Sequence, residues 1–349
     1  MKAEQFEAND QYSQAWEIAR YLEQHSDSWV SGEELSRQLG VSRTSIWKYI
    51  QTLRRHGLII EGQTRRGYRY IDDRDSLAPY QIERERKTRW LGRLFRYYPT
   101  IGSTNQVAKA LAQTYPDDGI VVVADEQTAG RGRRGRQWLS PPGKGLWFSV
   151  VLRPELPPAE VAGLTLVAAV AAVRAIHRET GVLLQIKWPN DLELNSYKVG
   201  GILTEMSGEA DRVDYIVLGL GINVNLAQEE FPPEMRHRAS SLAVLAGRKI
   251  PRRPLFLTLL VELENCYTEF LGGRFPELLA EWRQRSSTLG KKVNVFLPGR
   301  KVEGTAIDVD EEGALLVADE AGRVQRFVAG EVTLREFPTP SDRNTSGTP

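Results

Sequence analysis

Residues 130–136 read GRGRRGR, four arginines among three glycines. A guanidinium presents a planar fork of N–H donors that grips a carboxylate or phosphate two bonds at a time, and glycine lets backbone amides approach the same anion. Such a run serves either a basic tract that contacts nucleic acid or an ordered loop around an anionic small molecule, and its flanks decide between them. Here the flanks are the apolar runs IVVVADEQ at 120–127 and GLWFSVVLRP at 145–154, with QWLSPPGKG completing the connection. A strand at each end anchors the loop, which a free basic tail lacks. The loop is expected to stay mobile until a ligand neutralises its arginines.

A second group is KWPND at 187–191, followed by Lys198 in KVGGIL. Pro189 stiffens a turn at the end of an apolar strand, so Asn190 and Asp191 are presented rather than buried. Lys187 and Lys198 can neutralise an anionic reagent, and a carboxylate beside a phosphate helps hold Mg²⁺. Taken alone, the stretch reads better as a surface turn with solvated lysines. GLGINVN at 219–225 adds Asn223 and Asn225 after an apolar strand, a weak signal by itself. No Walker A loop occurs in the sequence.

Certain elements must position these groups. From residue 89 to 285 apolar runs alternate with helical stretches, some runs continuously apolar and others alternating, which predicts a mixed β-sheet covered by helices. Residues 286–336 carry short strand patterns broken by glycine turns, a small SH3-like barrel by pattern. The fold class is therefore α+β. A polar, Pro/Ser/Thr-rich tail at 337–349 is expected to be disordered.

Residues 1–72 form another unit. SGEELSRQLG opens on Ser31 as a helix cap, places Glu34 to complete a capping box, and ends on Gly40. The next segment, capped by Ser42, puts Ile46, Ile50 and Leu53 on one buried stripe. LIIEGQTRRGYRY then reads as two short strands around a turn holding Gly62, which predicts a winged helix-turn-helix, with a linker at 73–88. Between Arg37 and Tyr70 eight basic residues stand against the single acid Glu61, so positive charge gathers on the second helix and the wing. Arg43, Thr44, Trp47, Lys48, Gln51, Arg54, Arg65 and Arg66 are the expected DNA contacts, with Trp47 either facing a groove or half-buried against the wing.

The 349 residues, 41% hydrophobic and 26% charged, have ordinary globular composition and suffice for two or three domains. A net charge of +1 excludes a uniformly basic nucleic-acid coat. The one cysteine, Cys266, permits no internal disulfide and reads as a small packed residue on a helix. No signal-peptide core and no apolar run of membrane-span length is expected, which predicts a cytoplasmic protein.

In this order along the chain, the winged unit, STN at 103–105, GRGRRGRQW, KWPND, KVGGIL, GLGINVN and the small C-terminal β domain resemble the bifunctional biotin-protein ligase and biotin operon repressor family, over about residues 14 to 336. The arginine loop and KWPND at this separation are the specific elements; STN and GINVN are supportive. The resemblance implies a class II synthetase-like ligase core that joins biotin and MgATP into biotinyl-5'-AMP, then passes biotin to a lysine of a biotin carboxyl carrier protein domain. It implies Ser103, Thr104, Asn105, Gln127, Arg131, Gly132, Arg133 and Lys198 around biotin. Around ATP or adenylate it implies Arg131, Arg133, Arg134, Arg136, Trp138, Lys187, Asn190, Asn223 and Arg335, with Asp191 near Mg²⁺. Arg133, Lys187 and Lys198 would be the catalytic cations. It further implies a homodimer, favoured by bound adenylate, that seats two winged helices on operator DNA of biotin synthesis genes, with no membrane involved. Two other readings share these residues. Intact Arg131, Arg133, Asp191 and Lys198 disfavour a repressor that has lost catalysis, and the winged unit with its arginine loop disfavours a lipoate-type ligase.

Overall fold

The computed structural model describes residues 10–334, apart from 210, 298–299 and 329. Arg335 and the expected tail at 337–349 lie outside the described residues. The N-terminal unit comprises α1 (Asp10–Gln24), α2 (Gly32–Leu39), α3 (Arg43–Arg55) and a hairpin of β1 (Ile59–Gln63) and β2 (Gly67–Ile71). In α1 the residues Ala15, Ile18, Ala19 and Leu22 repeat at helical spacing and bury against Leu35, Ile46, Ile50 and Leu53. Ser31 caps α2 as expected, its Oγ accepting the Glu34 N–H at 3.0 Å. The capping box is not completed, because Glu34 Oε1 accepts instead from the Tyr21 hydroxyl at 2.9 Å and ties α2 to α1. Gly62 belongs to β1, and the wing turns at 64–66 with Arg65 at φ 68°. At Gly67, φ is +104° and an added Cβ would fall 2.1 Å from the Val30 carbonyl oxygen, so the wing passes where only glycine fits.

The expected linker is folded. It holds α4 (Pro79–Glu85), and its first residues are clamped to a later helix. Beyond it, a seven-stranded sheet runs in the order β3-β4-β5-β9-β8-β7-β6. Its strands are β3 (Phe95–Ile101), β4 (Ile120–Gln127), β5 (Gly145–Leu152), β6 (Gln185–Lys187), β7 (Asp191–Leu194), β8 (Tyr197–Gly208) and β9 (Val213–Asn223). β3 and β4 pair in parallel and the other neighbours antiparallel, the mixed sheet that the apolar patterns predict. The unbroken apolar run of β4 follows from burial on both faces. Ile120 and Val122 pack under α5 (Thr104–Thr114), while Val121 and Val123 join the larger core.

That core is built on α6 (Val161–Thr180), α8 (Arg252–Leu271) and α9 (Phe275–Arg285), with the short α7 (Leu242–Ala246) beside them. Contrary to the expectation from sequence, residues 158–180 are long and apolar enough to cross a membrane by length and composition. Most side chains of α6 are buried against its neighbours, which is the environment of a core helix. Cys266 lies in this layer, fully buried, with Arg174 Nη1 at 3.2 Å from its sulfur. Burial pushes its thiol up to about 12, against the pull of the Arg174 charge. Since the thiolate is the reactive form, iodoacetamide at neutral pH is expected to leave the native protein unlabelled and to modify Cys266 once the chain is unfolded. Stoichiometric labelling of folded protein, read by mass spectrometry, would contradict this.

Five antiparallel strands in the order β13-β12-β11-β10-β14 complete the fold as an SH3-like domain. They are β10 (Lys292–Leu297), β11 (Arg300–Val309), β12 (Leu315–Ala318), β13 (Val324–Phe327) and β14 (Glu331–Leu334). The buried Trp188 donates its indole N–H to the Gly313 carbonyl at 3.1 Å, and Arg283 pairs with Asp308 at 2.6 Å. The small domain is thereby fixed beside the sheet, where Gly330, Val332 and Thr333 line the cleft described next.

Candidate ligand cleft and DNA-facing helix

The loop between β4 and β5 folds back on itself over a cavity of about 690 Å³. Arg131 pairs with Gln137, the Gly132 N–H donates to Arg136 O at 2.7 Å, and the Trp138 N–H to Gly130 O at 2.9 Å. A Cβ on Gly130 would meet Trp138 O at 2.5 Å, so glycine is needed for this close return. GRGRRGR is thus an ordered hairpin lid. Arg133 Nη1 donates to Asn190 Oδ1 at 3.1 Å, and Arg134 Nη2 reaches the Phe296 carbonyl of β10 at 2.9 Å. The lid therefore touches both the KWPND turn and the C-terminal sheet.

One end of the cleft is neutral and rich in hydrogen-bonding groups. Ser103, Thr104 and Asn105 are buried at the start of α5. Gln127 Oε1 accepts from the Thr104 N–H at 2.9 Å and its hydroxyl at 3.1 Å, while Nε2 donates to Ser140 Oγ at 3.0 Å. Gln127 thereby satisfies the first amide of α5, and the Ser103 side chain makes no capping bond. On the floor, a Cβ at Gly219 would fall 2.1 Å from Asn105 Oδ1, and one at Gly221 2.5 Å from Trp138 Nε1. Alternate glycines on β9 make the room these side chains occupy.

Three residues that the sequence reading passed over hold this end together. Ser149 Oγ lies 2.8 Å from Thr104 Oγ1 and 2.6 Å from Asn105 Oδ1. Asn105 Nδ2 donates to Glu205 Oε2 at 2.8 Å, and Lys109 Nζ pairs with Glu205 Oε1 at 2.6 Å. Ser149 was detectable as the one polar residue within the run GLWFSVVL, and Lys109 as the residue one turn after Asn105. Burial pushes the Glu205 carboxyl up, but hydrogen bonds from Asn105 and Lys109 with the charges of Lys109 and Arg131 outweigh it and leave it below the ordinary glutamate value. A depressed folded-state pKa stabilises above the unfolded value and is lost as pH falls through the folded one. Glu205→Gln is therefore expected to be less stable than wild type in urea at about pH 7, with the gap closing as pH falls below the ordinary glutamate range. A gap that stays constant with pH would refute this.

The other end is cationic. Lys198 Nζ sits 2.6 Å from Asp191 Oδ1 and 5.2 Å from the centre of the Trp138 ring. Lys187 and Asp191 face each other across the turn between β6 and β7, in which the Trp188–Pro189 peptide is cis. Arg131, Arg133, Arg134 and Arg136 line the same space, as does the buried Glu193, which the sequence reading did not single out. Asn223 departs from expectation. Its side chain is buried, donates to the Ser240 carbonyl at 3.2 Å, and does not line the cleft.

Comparison with known proteins follows the same division of the chain. Residues 17–69 match an HTH domain, 97–223 the Biotin/lipoate A/B protein ligase family, and 288–335 the Biotin protein ligase C terminal domain. The bifunctional ligase/repressor BirA of Bacillus subtilis is 36% identical over 318 residues, spanning 91% of this chain and 98% of the relative. The chain belongs to the bifunctional biotin ligase/repressor family. The Escherichia coli relative of the same name is 31% identical over 310 residues, 87% of this chain and 92% of its own. The structure of biotin protein ligase from Aquifex aeolicus in complex with biotin and ATP aligns with a TM-score of 0.60 at 30% identity, covering 70% of this chain and 100% of that one.

A repressor of this family also needs a DNA-facing surface. On α3, Ile46, Ile50 and Leu53 are buried as expected, while Arg43, Thr44, Trp47 and Lys48 are exposed and Gln51 is half-buried. Trp47 is 55% exposed and so is not packed away against the wing. Arg65 and Arg66 are exposed on the wing, and the guanidiniums of Arg66 and Arg69 stand 4.9 and 5.0 Å from the Trp29 ring centre. Arg54 is the exception, since its Nε and Nη2 donate to the Ile60 carbonyl at 2.8 and 2.6 Å. It braces the wing against α3 instead of facing DNA.

Proposed function

We propose that this protein is a cytoplasmic ATP-dependent biotin-protein ligase that forms biotinyl-5'-AMP, transfers biotin to a lysine of a biotin carboxyl carrier domain, and represses biotin synthesis genes at their operator. The observation that carries this reading is the two-ended cleft beneath the lid. The end bounded by Ser103, Thr104 and Asn105 offers donors and acceptors that suit the ureido ring of biotin. The end bounded by Arg131, Arg133, Lys187 and Lys198 suits a carboxylate brought against a triphosphate.

In the first step a biotin carboxylate oxygen attacks the α-phosphorus, the new P–O bond forms, and the bond to pyrophosphate breaks. Two anions must meet, so Arg131, Arg133, Lys187 and Lys198 lower the barrier by offsetting their repulsion. In the second step the neutral ε-amine of the carrier lysine attacks the acyl carbon, AMP departs, and the amine proton is released. The mixed anhydride is already activated, so no covalent enzyme intermediate is required. Trp138 packs beneath the lid beside Lys198, and Asn190 receives the lid through Arg133. Mg²⁺, when bound, would neutralise phosphate charge. Asp191 lines the cleft and would be its protein ligand through the oxygen that Lys198 does not hold, since Mg²⁺ commonly takes one or two carboxylates together with substrate phosphates. In this reading residues 1–72 bind DNA, 89–285 catalyse and 286–336 close the ATP end. Bound adenylate holds the lid closed and favours a homodimer on a two-part operator.

Biotin-dependent exchange of labelled pyrophosphate into ATP tests the ligase, with lipoate and octanoate as separate arms. Exchange with biotin alone is expected. Exchange with lipoate or octanoate instead would redirect the substrate, and exchange with none would remove the ligase.

A further inference from the structure

Arg252 and Arg253 open α8, with side chains 5% and 4% exposed, and neither lines the cleft. Buried guanidiniums need acids and carbonyls to meet their donors, and several of these donors reach the segment that leaves the wing. Arg253 Nη2 reaches Asp72 Oδ1 at 2.6 Å, Nη1 reaches Asp73 O at 2.9 Å, and the backbone N–H donates to Arg74 O at 2.9 Å. The Arg252 N–H donates to Asp75 Oδ1 at 3.0 Å and its Nη2 to Asp75 O at 2.9 Å.

The other arm of Arg252 points to the lid. Its Nη1 lies 2.8 Å from Asp125 Oδ1 and 3.2 Å from Gly145 O. Asp125 stands two residues before the end of β4, and Gly145 is the first residue of β5. These are the two stems from which the lid hangs. On the linker side, the Ser76 hydroxyl donates to Gly57 O at 3.1 Å, just past the end of α3. A Cβ at Gly57 would lie 3.4 Å from the Tyr97 hydroxyl of β3, so the winged unit also rests directly on the sheet.

We infer that Arg252 is a positioning residue that holds both stems of the lid and passes the state of the lid through Asp75 and Ser76 to the end of the DNA-facing helix. The guanidinium is a rigid planar fork. If the stems shift, it cannot keep Asp125, Gly145 and Asp75 together, so a ligand that fixes the lid also favours one seating of the linker, and the effect is reciprocal. This inference rests on the proposed adenylate-responsive operator binding.

The test uses the full chain and a fluorescent duplex that the wild-type protein selects from a random pool with biotin and MgATP. Affinity is measured at fixed salt with and without ligand, alongside the rate of adenylate release. Arg252→Lys, which keeps the charge but loses the fork, is expected to cut the ligand-dependent gain in affinity by about 3- to 30-fold and to speed release. Ser76→Ala, remote from the cleft, is expected to cut the gain by about 3-fold with release unchanged. This second variant decides the matter if Arg252→Lys fails to fold. A wild type that responds to ligand, with variants that respond equally, overturns the coupling alone. A wild type that selects no duplex, or binds it regardless of ligand, overturns the responsive-repressor reading and the coupling with it.

Discussion

Arg133→Gly is expected to release biotinyl adenylate about 100-fold faster than wild type while leaving its rate of synthesis within about tenfold. Arg133 stands at the turn of the lid hairpin and donates to Asn190 in the KWPND turn. Under the proposed function, removing it deletes a cation beside the adenylate phosphate as well as a strut of the closed lid, and charged hydrogen bonds of this kind contribute about 1.5–3 kcal/mol each. The new glycine also raises the entropy cost of ordering a lid already rich in glycine. Synthesis is less affected, because Lys187, Lys198 and Arg131 remain. The visible consequence is loss of carrier selectivity: adenylate that escapes acylates exposed lysines in solution. Biotin incorporation into a bystander protein, followed by streptavidin blotting in the absence of carrier, reads this directly. If the variant retains adenylate as long as the wild type does, the lid has been assigned the wrong role.

Local patterns were legible in the sequence, and tertiary partnerships mostly were not. The caps Ser31 and Ser42 and the stripe Ile46, Ile50, Leu53 appear as read, because each depends on residues within one or two turns. The lid was placed correctly from the strands on either side of it. Lys198 and Asp191 come within 2.6 Å because a single hairpin joins them. Polar side chains whose partners arrive from afar behaved otherwise. Arg54 is drawn to the Ile60 carbonyl, Asn223 to that of Ser240, and Gln127 to the first amide of α5. Each is polar and near a functional stretch, but only the packed chain reveals that its hydrogen bonds are already committed. The contact of Glu205 with Asn105 spans 100 positions and that of Arg252 with Asp125 spans 127, beyond the reach of any periodicity. At α6 the expectation of no span-length apolar run was wrong, yet the run at 158–180 is a buried core helix.

Lys198→Gln should lower kcat for biotin-dependent pyrophosphate exchange by about 10²- to 10³-fold, the scale on which a fixed group that stabilises developing charge contributes. The backbone of Lys198 is pinned, its N–H donating to Arg238 O at 2.8 Å and its carbonyl accepting the Ser240 N–H at 3.0 Å. The ammonium cannot drift far from Asp191 and the Trp138 ring. A cation fixed in advance needs no reorganisation as the reaction brings carboxylate and phosphate together, and that preorganisation separates it from a solvated lysine. Glutamine keeps a hydrogen-bond donor, one bond nearer the backbone, but no charge, so the substitution removes chiefly the electrostatic part. Arg is not a safe control here. Gly201, whose added Cβ would lie 3.4 Å from Lys198 Cε, marks how closely the stem is packed, and a guanidinium is bulkier than the ammonium it replaces. Biotin affinity should weaken as well, because under the proposed function the same ammonium faces the biotin carboxylate. The loss in kcat at saturating biotin is the decisive quantity, since it removes the ground-state share. A variant within about threefold of the wild-type kcat would place Lys198 among the solvated surface lysines that its sequence setting alone also permits.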